Sequence, residues 1–325
     1  MSTYYLGIDL GASLIKFMLM GEDGTPGAVR RLPTRGEKGP EAVLKQIGES
    51  ISLAKEALSG DDILEGIGFG TPGLIGADGE IIGEAVNIPG WRDVNLKEIL
   101  ELEAELPVIV QNDVNLTALG EYVYYAEEGI RNLVCISIGT GIGGGLVIND
   151  ELYTGTDGLA AEIGHMIVEP EGIECSCGQR GCLEAYSSAN GILFNCRRLA
   201  VKFPSALAEL CTGNAEWVTA ELVYTYARQG DKLALEVHDL ASRMLARAVG
   251  QVMNLLAPDV IVLCGGVMNS QDMILPAVLE ALPQYSLDVI RERCSVVSGT
   301  LGQDAGVTGA ALYALQEFGI APHEG

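Results

Sequence analysis

The sequence predicts an α/β protein in which one structural scheme occurs twice, giving two lobes with a central cleft. Two apolar hairpins turn on glycine-rich segments, at residues 9–13 in the first hairpin and residues 139–145 in the second. Later in each copy, a helical pattern leads into a short apolar strand that ends in glycine. Repeated units of this kind predict that a ligand binds at the carboxyl ends of the strands.

The first copy begins with its hairpin and continues as a helix, two strands and a second helix. The first helix is indicated by Val43, Ile47 and Ile51, which recur on one face. Both strands are short apolar runs that end in polar or turn residues, as buried strands do. The predicted elements lie, in order, at residues 4–20, 40–58, 63–70, 107–111 and 112–126.

The second copy repeats the order of hairpin, helix and strand. Its hairpin covers residues 133–148, and its helix over residues 232–256 carries apolar side chains at helical spacing. That helix leads into the strand at residues 259–264 and then into two adjacent glycines. A last helix near residues 304–318 is rich in alanine and glycine, and we expect it to return to the first lobe. The predicted N-terminal lobe comprises residues 1–118 and 304–325, and the predicted C-terminal lobe comprises residues 119–303.

Composition excludes two classes of partner. The 325 residues include 20 Lys and Arg against 44 Asp and Glu, a net charge of −24. So acidic a surface repels nucleic acids and anionic membranes, and we expect neither as a partner. No apolar run reaches the length of a membrane-spanning helix, and the N-terminus lacks the features of a signal peptide. Eight cysteines in such a chain indicate a reducing compartment, so the expected location is the cytoplasm.

Both glycine-rich turns could hold the phosphates of a nucleotide. Glycine lets the backbone approach an anion so that N–H groups point at it, and Ser13 and Thr140 add hydroxyl donors. Asp9, at the start of the first turn, could hold Mg²⁺ through water. Neither turn has the spacing of a Walker A or a dinucleotide-binding motif. The alternative is that both turns are simply tight hairpins and Asp9 is a turn acid.

Asn112 and Asp113 follow a predicted strand and open a predicted helix. A carboxylate in this place could accept the proton of a substrate hydroxyl while the neighbouring amide orients the alcohol. Asn and Asp are also the residues that most favour the N-cap of a helix. Both interpretations stay open at this point.

A cluster of soft ligands predicts a structural metal site. Cys175, Cys177 and Cys182 follow His165 after a short spacer, and Cys₃His is a common set for structural zinc. The alternative is that these cysteines are free or disulfide-paired. Glu162 and Glu184 bracket the same loop, where carboxylates beside a fixed imidazole would suit vicinal sugar hydroxyls. Solvated or capping roles for these two residues remain the simpler alternative.

Together these motifs resemble the ROK family of bacterial sugar kinases and sugar-responsive repressors. The resemblance spans essentially the whole chain and implies the duplicated actin/hexokinase fold, which is ribonuclease H-like. Its most specific part is Glu-x-Gly-His followed by the cysteine loop. The motifs that carry it are Asp9-Leu10-Gly11-Ala12-Ser13, Asn112-Asp113-Val114-Asn115, the glycine turn at 139–145, Glu162-Ile163-Gly164-His165, the loop at 175–184 and the turn at 301–306.

The resemblance implies ATP-dependent phosphorylation of a hexose on its 6-hydroxyl, with Asp113 as the general base. Glucose is the first expected acceptor, and N-acetylmannosamine, N-acetylglucosamine and fructose are alternatives. The residues implied in sugar binding are Gly73, Asn112, Asp113, Glu162, His165 and Glu184. Those implied in holding ATP and Mg²⁺ are Asp9, Gly11, Ala12, Ser13, Thr140, Gly141, Gly265 and Gly266, the last two beside the adenosine. The structural Zn²⁺ would be bound by His165, Cys175, Cys177 and Cys182.

The chain departs from the common family pattern at two places. Ala12-Ser13 stands where Gly-Thr is usual, and Ala161 stands where glycine is frequent, but neither change removes a chemical group. Regulators of the family carry a winged helix-turn-helix ahead of the first turn, for which a strand beginning near Tyr4 leaves no room. A sugar-sensing regulator without a DNA-binding domain therefore remains the rival class. Family members also imply a homodimer or homotetramer, with the interface in the C-terminal lobe.

Overall fold

The computed structural model of the chain describes residues 2–76, 79–82, 95–126 and 128–319. The strands are β1 (Thr3–Leu10), β2 (Leu14–Gly21), β3 (Arg30–Pro33), β4 (Ile63–Thr71), β5 (Leu74–Ile75), β6 (Ile81–Ile82), β7 (Val108–Asn112), β8 (Leu133–Ile138), β9 (Ile142–Ile148), β10 (Glu151–Tyr153), β11 (Val260–Cys264) and β12 (Ser295–Ser298). The helices are α1 (Pro40–Ala57), α2 (Leu96–Ala104), α3 (Asp113–Ala126), α4 (Glu184–Ser187), α5 (Ala189–Leu199), α6 (Ala206–Gly213), α7 (Ala220–Arg228), α8 (Lys232–Leu256), α9 (Gln271–Ala281), α10 (Asp288–Arg291) and α11 (Ala305–Phe318).

Two five-stranded sheets repeat one pattern of strand pairing. Their orders are β3-β2-β1-β4-β7 and β10-β9-β8-β11-β12. In the first, β1 pairs antiparallel with β2 and parallel with β4, which pairs parallel with β7. In the second, β10 pairs antiparallel with β9, and β11 pairs parallel with β8 and β12. The predicted duplication of an α/β scheme is therefore confirmed.

The first sheet is covered on both faces, as the alternation of its side chains requires. Ile15 and Phe17 of β2 point into a core shared with α1 and α2. Met18 and Met20 of the same strand point to the other face, where they meet α11. The first sheet and the last helix, α11, thus belong to one layered unit.

Glycines let α11 come unusually close to its neighbours. A Cβ atom on Gly68 of β4 would lie 1.9 Å from the carbonyl oxygen of Ala310. A Cβ on Gly309 would lie 1.8 Å from the carbonyl oxygen of Leu116 in α3. No real side chain tolerates such distances, so glycine is needed for this packing. The position of α11 beside β1, β4 and α3 depends on it.

Internal packing divides the chain into two compact units. The first consists of residues 1–129, 145–160 and 301–325, and the second of residues 130–144 and 161–300. The sequence predicts residues 119–129 and 145–160 in the C-terminal lobe, but internal packing groups them with the first unit. The helix α3 continues past residue 118 along α11, where Gly120 meets the Ala305 carbonyl, and Gly145 packs against Ala118 of the same helix. Residues 320–325 lie outside the described residues.

The long helix α8 forms the centre of the second unit. Asp231 caps it by accepting hydrogen bonds from the N–H groups of Leu233 and Ala234. Most of its apolar face is buried, so the helical spacing of those residues reflects the core. No helix within the described ranges has both the length and the apolar character needed to cross a membrane.

Candidate functional site

Asp9 lies near the carboxyl end of β1 and faces a lysine on the neighbouring strand. The register of β1 and β2 sets Asp9 opposite Lys16, and the Lys16 Nζ atom lies 2.9 Å from Asp9 Oδ2. Lys16 also donates a hydrogen bond to the Gln303 carbonyl at 2.6 Å. Burial raises the pKa of the Asp9 carboxyl, and the ammonium of Lys16 opposes that shift. The ammonium of Lys16 thus offsets part of the cost of a charge on this buried carboxyl group.

Lys16 is not among the predicted site residues, although a signal for it is present in the sequence. It is the one charged residue in the strand segment Leu-Ile-Lys-Phe-Met-Leu-Met, and an ammonium within an otherwise apolar strand needs a partner. The alternation of β2 sends Ile15 and Phe17 into the core, and Lys16 to the face where Asp9 lies. Such a lysine opposite an acid, one strand away, could have been recognised from the hairpin register.

The turn between β1 and β2 is held tightly. Gly11 N–H donates to the Leu14 carbonyl at 3.0 Å, and a Cβ on Gly11 would lie 2.9 Å from that oxygen. The buried Thr34 donates its hydroxyl to the Gly11 carbonyl and its N–H to the Ser13 carbonyl. Ala12 and Ser13 are exposed at the tip of this turn. The turn therefore presents its tip to solvent on a fixed backbone.

Asn112 caps α3, and its neighbour Asp113 opens the helix. The Asn112 Oδ1 atom accepts hydrogen bonds from Val114 N–H at 2.9 Å and Asn115 N–H at 3.2 Å. Its Nδ2 atom donates to the carbonyl of Gly73 at 3.0 Å. Thus the capping interpretation holds for Asn112, and the structure brings together Asn112 and Gly73, two of the predicted sugar residues.

Asp113 has the environment of a base. Its side chain is half-buried, and its Oδ1 atom accepts the Val114 N–H at 3.0 Å. Burial, together with the nearby negative charge of Asp9, raises the pKa of Asp113 to about 6. The backbone hydrogen bond and Lys16 act in the opposite direction but are weaker. A carboxyl group that titrates near 6 can accept a proton at neutral pH and is then a better base than an ordinary aspartate.

In the second unit, the other glycine turn rests on Glu184. Its Oε2 atom accepts the N–H of Ile142 at 2.8 Å, and a Cβ on Gly141 would lie 2.4 Å from the same oxygen. The N–H groups of Ala189 and Asn190, at the start of α5, donate to the carbonyls of this turn. One predicted sugar residue is therefore in direct contact with a predicted phosphate residue. Glu184 joins the turn to the loop that precedes α4.

The glycine pair after β11 has two different environments. Gly265 has a φ of +91°, and a Cβ there would lie 2.6 Å from the Ile138 carbonyl oxygen at the end of β8. Gly266 has open space around its Cα. Packing therefore requires glycine at position 265, whereas the open space at position 266 leaves its backbone accessible.

Four residues of the second unit form the arrangement that a zinc ion needs. The ligand atoms of His165, Cys175, Cys177 and Cys182 all lie within 4.8 Å of one another. Cys175 Sγ is 3.8 Å from His165 Nδ1, and the sulfur atoms of Cys177 and Cys182 are 3.7 Å apart. Burial raises the pKa of Cys182 to about 12, which disfavours its thiolate unless a cation is bound. Three sulfurs and one imidazole at these distances fit a tetrahedral zinc site.

The loop that carries this cluster is anchored on both sides. Arg247 of α8 donates a hydrogen bond to the Val168 carbonyl and lies 3.3 Å from the Glu169 carboxylate. Gly181 has a φ of +81°, and a Cβ there would lie 1.8 Å from the Glu169 carbonyl oxygen. His165 is half-buried in this loop, whereas Glu162, at its start, is exposed. The His165 imidazole thus lies beside the cysteines, on a loop whose backbone is held by Arg247 and by close packing at Gly181.

Ala161 explains one departure noted in the sequence. Its φ is +67°, in the left-handed region that glycine adopts without strain. A side chain in this conformation costs about 1 kcal/mol or more. This chain thus accommodates an alanine in a conformation that suits glycine.

Comparison with known proteins gives a family, two relatives and a solved structure that resemble this chain. The profile described as the ROK family matches residues 5–317. A glucokinase from Halalkalibacterium halodurans is 36% identical over 317 residues, which cover 97% of this chain and 96% of that protein. A glucokinase from Thermotoga maritima is 34% identical, covering 97% of this chain and 98% of the relative. Among solved structures, this chain resembles the crystal structure of a ROK family glucokinase from Streptomyces griseus in complex with glucose and AMPPNP. The two superpose with a TM-score of 0.79 at 29% sequence identity, and the match covers 96% of this chain and 99% of the other. The expected actin/hexokinase-like fold is confirmed by this likeness.

Proposed function

Because this chain belongs to the ROK family, we propose that it is an ATP-dependent hexose kinase that phosphorylates the 6-hydroxyl of glucose. The observation that carries the proposal is Asp113, a half-buried carboxyl group with a pKa of about 6 at the start of α3. The glucokinase relatives and the glucose- and AMPPNP-bound ROK structure support the choice of reaction and substrates. N-acetylmannosamine, N-acetylglucosamine and fructose remain the alternative acceptors.

Asp113 acts as the general base. At pH 7 a group with a pKa near 6 is about nine-tenths ionised, so it can take the proton of the sugar hydroxyl as that oxygen attacks the γ-phosphorus. Base assistance of this kind contributes roughly 10²–10⁴-fold to a rate. Asn112 contributes by holding the first turn of α3 in place through its cap. The amide that the sequence suggested as a sugar ligand thus also positions the base.

The two glycine turns hold the nucleotide. Their backbone N–H groups supply local donors that the overall negative charge of the molecule makes necessary. The residues assigned to phosphate binding are Gly11, Ala12, Ser13, Thr140 and Gly141, and Gly265 and Gly266 are assigned to the adenosine. The open space at Gly266 and the exposed tip of the first turn support this assignment.

Asp9 would hold Mg²⁺, which binds carboxylate oxygens and keeps most of its water. Since Asp9 already contacts Lys16, a water-mediated role fits its environment best. When bound, the ion neutralises charge on the transferring phosphoryl group. Lys16 adds a second positive charge close to the same turn and thereby supports binding of a polyphosphate.

Glu162, His165 and Glu184 would bind the hydroxyl groups of the sugar. A zinc ion held by His165, Cys175, Cys177 and Cys182 would fix the imidazole and the loop around it, with no part in activating water. The close approach of the four ligand atoms supports this role. A homodimer or homotetramer remains a prediction, which light scattering of the purified protein would check.

The proposal is tested by steady-state ATP turnover with a panel of sugars. We expect glucose to give the highest kcat/KM, above N-acetylmannosamine, N-acetylglucosamine and fructose. Asp113→Asn should lower kcat by about 10²–10⁴-fold while glucose affinity changes little, because the amide cannot accept the proton. Below pH 6, kcat/KM of the parent should fall about tenfold per pH unit. Turnover that does not depend on any sugar, or an active Asp113→Asn protein, would exclude this mechanism.

The zinc assignment has its own test. We expect metal analysis to find one zinc per chain, and removal by a chelator to lower both the thermal midpoint and the affinity for glucose. Cys177→Ser should reproduce both effects, whereas Cys294→Ser, outside the cluster, should leave the zinc content unchanged. A metal-free protein with native stability and sugar affinity would remove zinc from the proposal.

A further inference from the structure

Glu121 is fully buried, which is rare for a carboxylate unless it has partners. It lies on α3, about two turns after Asp113. Burying a charge is unfavourable unless hydrogen bonds compensate, so this residue needs a specific reason to be there. One partner is the backbone N–H of Leu301, which lies 3.1 Å from Glu121 Oε1. The glutamate therefore ties α3 to the turn that precedes α11.

That turn, residues 301–304, has a second set of attachments on its other side. The Gln303 carbonyl accepts the ammonium of Lys16 at 2.6 Å, and the Asp304 carboxylate pairs with Arg31 at 2.5 Å. Within the turn, Asp304 N–H donates to the Leu301 carbonyl at 3.1 Å. The turn thus lies between the buried carboxyl group of Glu121 on α3 and two cations, Lys16 on β2 and Arg31 on β3.

Lys16 is the link between this turn and the nucleotide side of the site. Its side chain is only 14% exposed, and it divides its donors between the Gln303 carbonyl and the Asp9 carboxylate. Gly306, just beyond the turn, lies against Asp9, because a Cβ on Gly306 would be 3.1 Å from the Asp9 carboxyl group. Any movement of the turn would therefore shift both the ammonium and the backbone beside Asp9.

We propose that Glu121 is a positioning residue for nucleotide binding: its carboxylate anchors the 301–304 turn, and that turn holds Lys16 against Asp9. The inference rests on the proposed kinase function. Glu121 contacts neither substrate in this role and acts through Leu301, Gln303 and Lys16. The anchoring bond requires an acceptor oxygen at this buried position, and Glu121 Oε1 supplies it.

The first test compares Glu121→Leu with Glu121→Gln. The glutamine keeps an acceptor oxygen and should hold the turn, whereas leucine has similar bulk and no acceptor. We expect amide exchange in residues 301–304 to accelerate at least tenfold in Glu121→Leu and to stay near native in Glu121→Gln. Affinity for Mg²⁺–AMPPNP, measured by calorimetry, should fall about fivefold to tenfold in the leucine variant alone, and glucose affinity should stay within twofold. Equal nucleotide affinity in both variants would overturn the proposal.

The second test asks whether Glu121 acts through Lys16. In a Lys16→Met background, Glu121→Leu should cause no further loss of Mg²⁺–AMPPNP affinity, because the link is already broken. If the losses of Mg²⁺–AMPPNP affinity in the two single variants multiply in the double variant, Glu121 does not act through Lys16 and its role is merely structural. Lys16→Met alone should also speed exchange around Gln303, and unchanged exchange there would overturn the link even if Glu121→Leu failed to fold. Absence of sugar-dependent turnover in the parent would instead contradict the kinase proposal, while the exchange measurements still test the anchor.

Discussion

Asp113 lies where burial and a nearby second carboxylate favour its protonated form over its ionised form more than water does for an exposed aspartate. This environment therefore opposes folding at neutral pH. In the folded protein its pKa is about 6, against 3.8 for an unperturbed aspartate. Between these two values the folded state keeps a proton that the unfolded state has lost. The free energy of unfolding must then decrease as the pH rises through this window.

This linkage predicts that Asp113→Asn stabilises the protein at neutral pH. The amide carries no charge at any pH, so the variant should be more stable than the parent by about 1–3 kcal/mol at pH 7 and equal to it near pH 3.5. Urea unfolding between pH 3.5 and 7 measures the difference. The exposed Asp61→Asn is the matched control for loss of one negative charge. A variant that is less stable than the parent at pH 7 would show that Asp113 is not held in an unfavourable environment.

Single residues were predictable where the residues that act together are close in the sequence. The three cysteines and His165 lie within a short stretch, so their spacing alone predicted the cluster that the structure assembles. Asn112 was predicted as either a cap or a ligand, and the structure shows the cap. Lys16 was missed although its pairing with Asp9 is local. Glu121, and the bond from Lys16 to the Gln303 carbonyl, were missed because the partners are far apart in sequence. No periodicity reveals a hydrogen bond across such a separation.

At the scale of elements, the contact between α3 and α11 depends on paired glycines. Gly120 lies against the Ala305 carbonyl and Gly309 against the Leu116 carbonyl, so the two helix backbones are nearly in contact. Both helices help to position residues of the proposed site, because α3 begins at Asp113 and α11 begins beside Asp9. Close packing of this kind fixes their separation more rigidly than flexible side chains could.

Gly309→Ala should therefore destabilise the protein. The added methyl group would require a backbone shift, and overpacking of this kind costs about 1–3 kcal/mol. Gly213→Ala is the matched control, since Gly213 also lies in a helix but has open space around it. There we expect a neutral effect or a gain of up to about 1 kcal/mol. Equal effects of the two substitutions in denaturant unfolding would refute the close approach of α3 and α11.

The hairpins and the strands after them were predictable because apolar runs bounded by glycine are strong local signals. Strand order was not, since β1 pairs with β4, and β8 with β11, across long stretches of sequence. The short β5–β6 pair and the helices α5, α6 and α7 were not anticipated, because each of them is short. Local patterns therefore indicate the elements, while long-range pairing has to be inferred from the repeat.

At the scale of the whole molecule, the duplicated sheets and the net negative charge both determine how a nucleotide can bind in the proposed function. The two sheets share one pairing pattern, and each contributes one glycine turn at the end of a strand. Around them the chain carries a net charge of −24, which repels a nucleotide at a distance. In the proposed function, phosphate binding therefore relies on backbone N–H groups and on cations near the turns such as Lys16. For this reason, the position of Lys16 is important for nucleotide binding in the proposed function.

The same charge predicts how stability responds to salt. Like charges repel more strongly in the compact state than in the expanded chain, so screening should favour folding. Raising NaCl from 10 to 150 mM shortens the Debye length from about 30 to about 8 Å, and at pH 7 the thermal midpoint should rise. At pH 5, closer to the pI of 4.4, the net charge is smaller and the rise should shrink. Buried pairs such as Lys16–Asp9 are screened little and should not offset it. A midpoint that falls with salt at pH 7 would mean that attractive surface pairs outweigh the net repulsion.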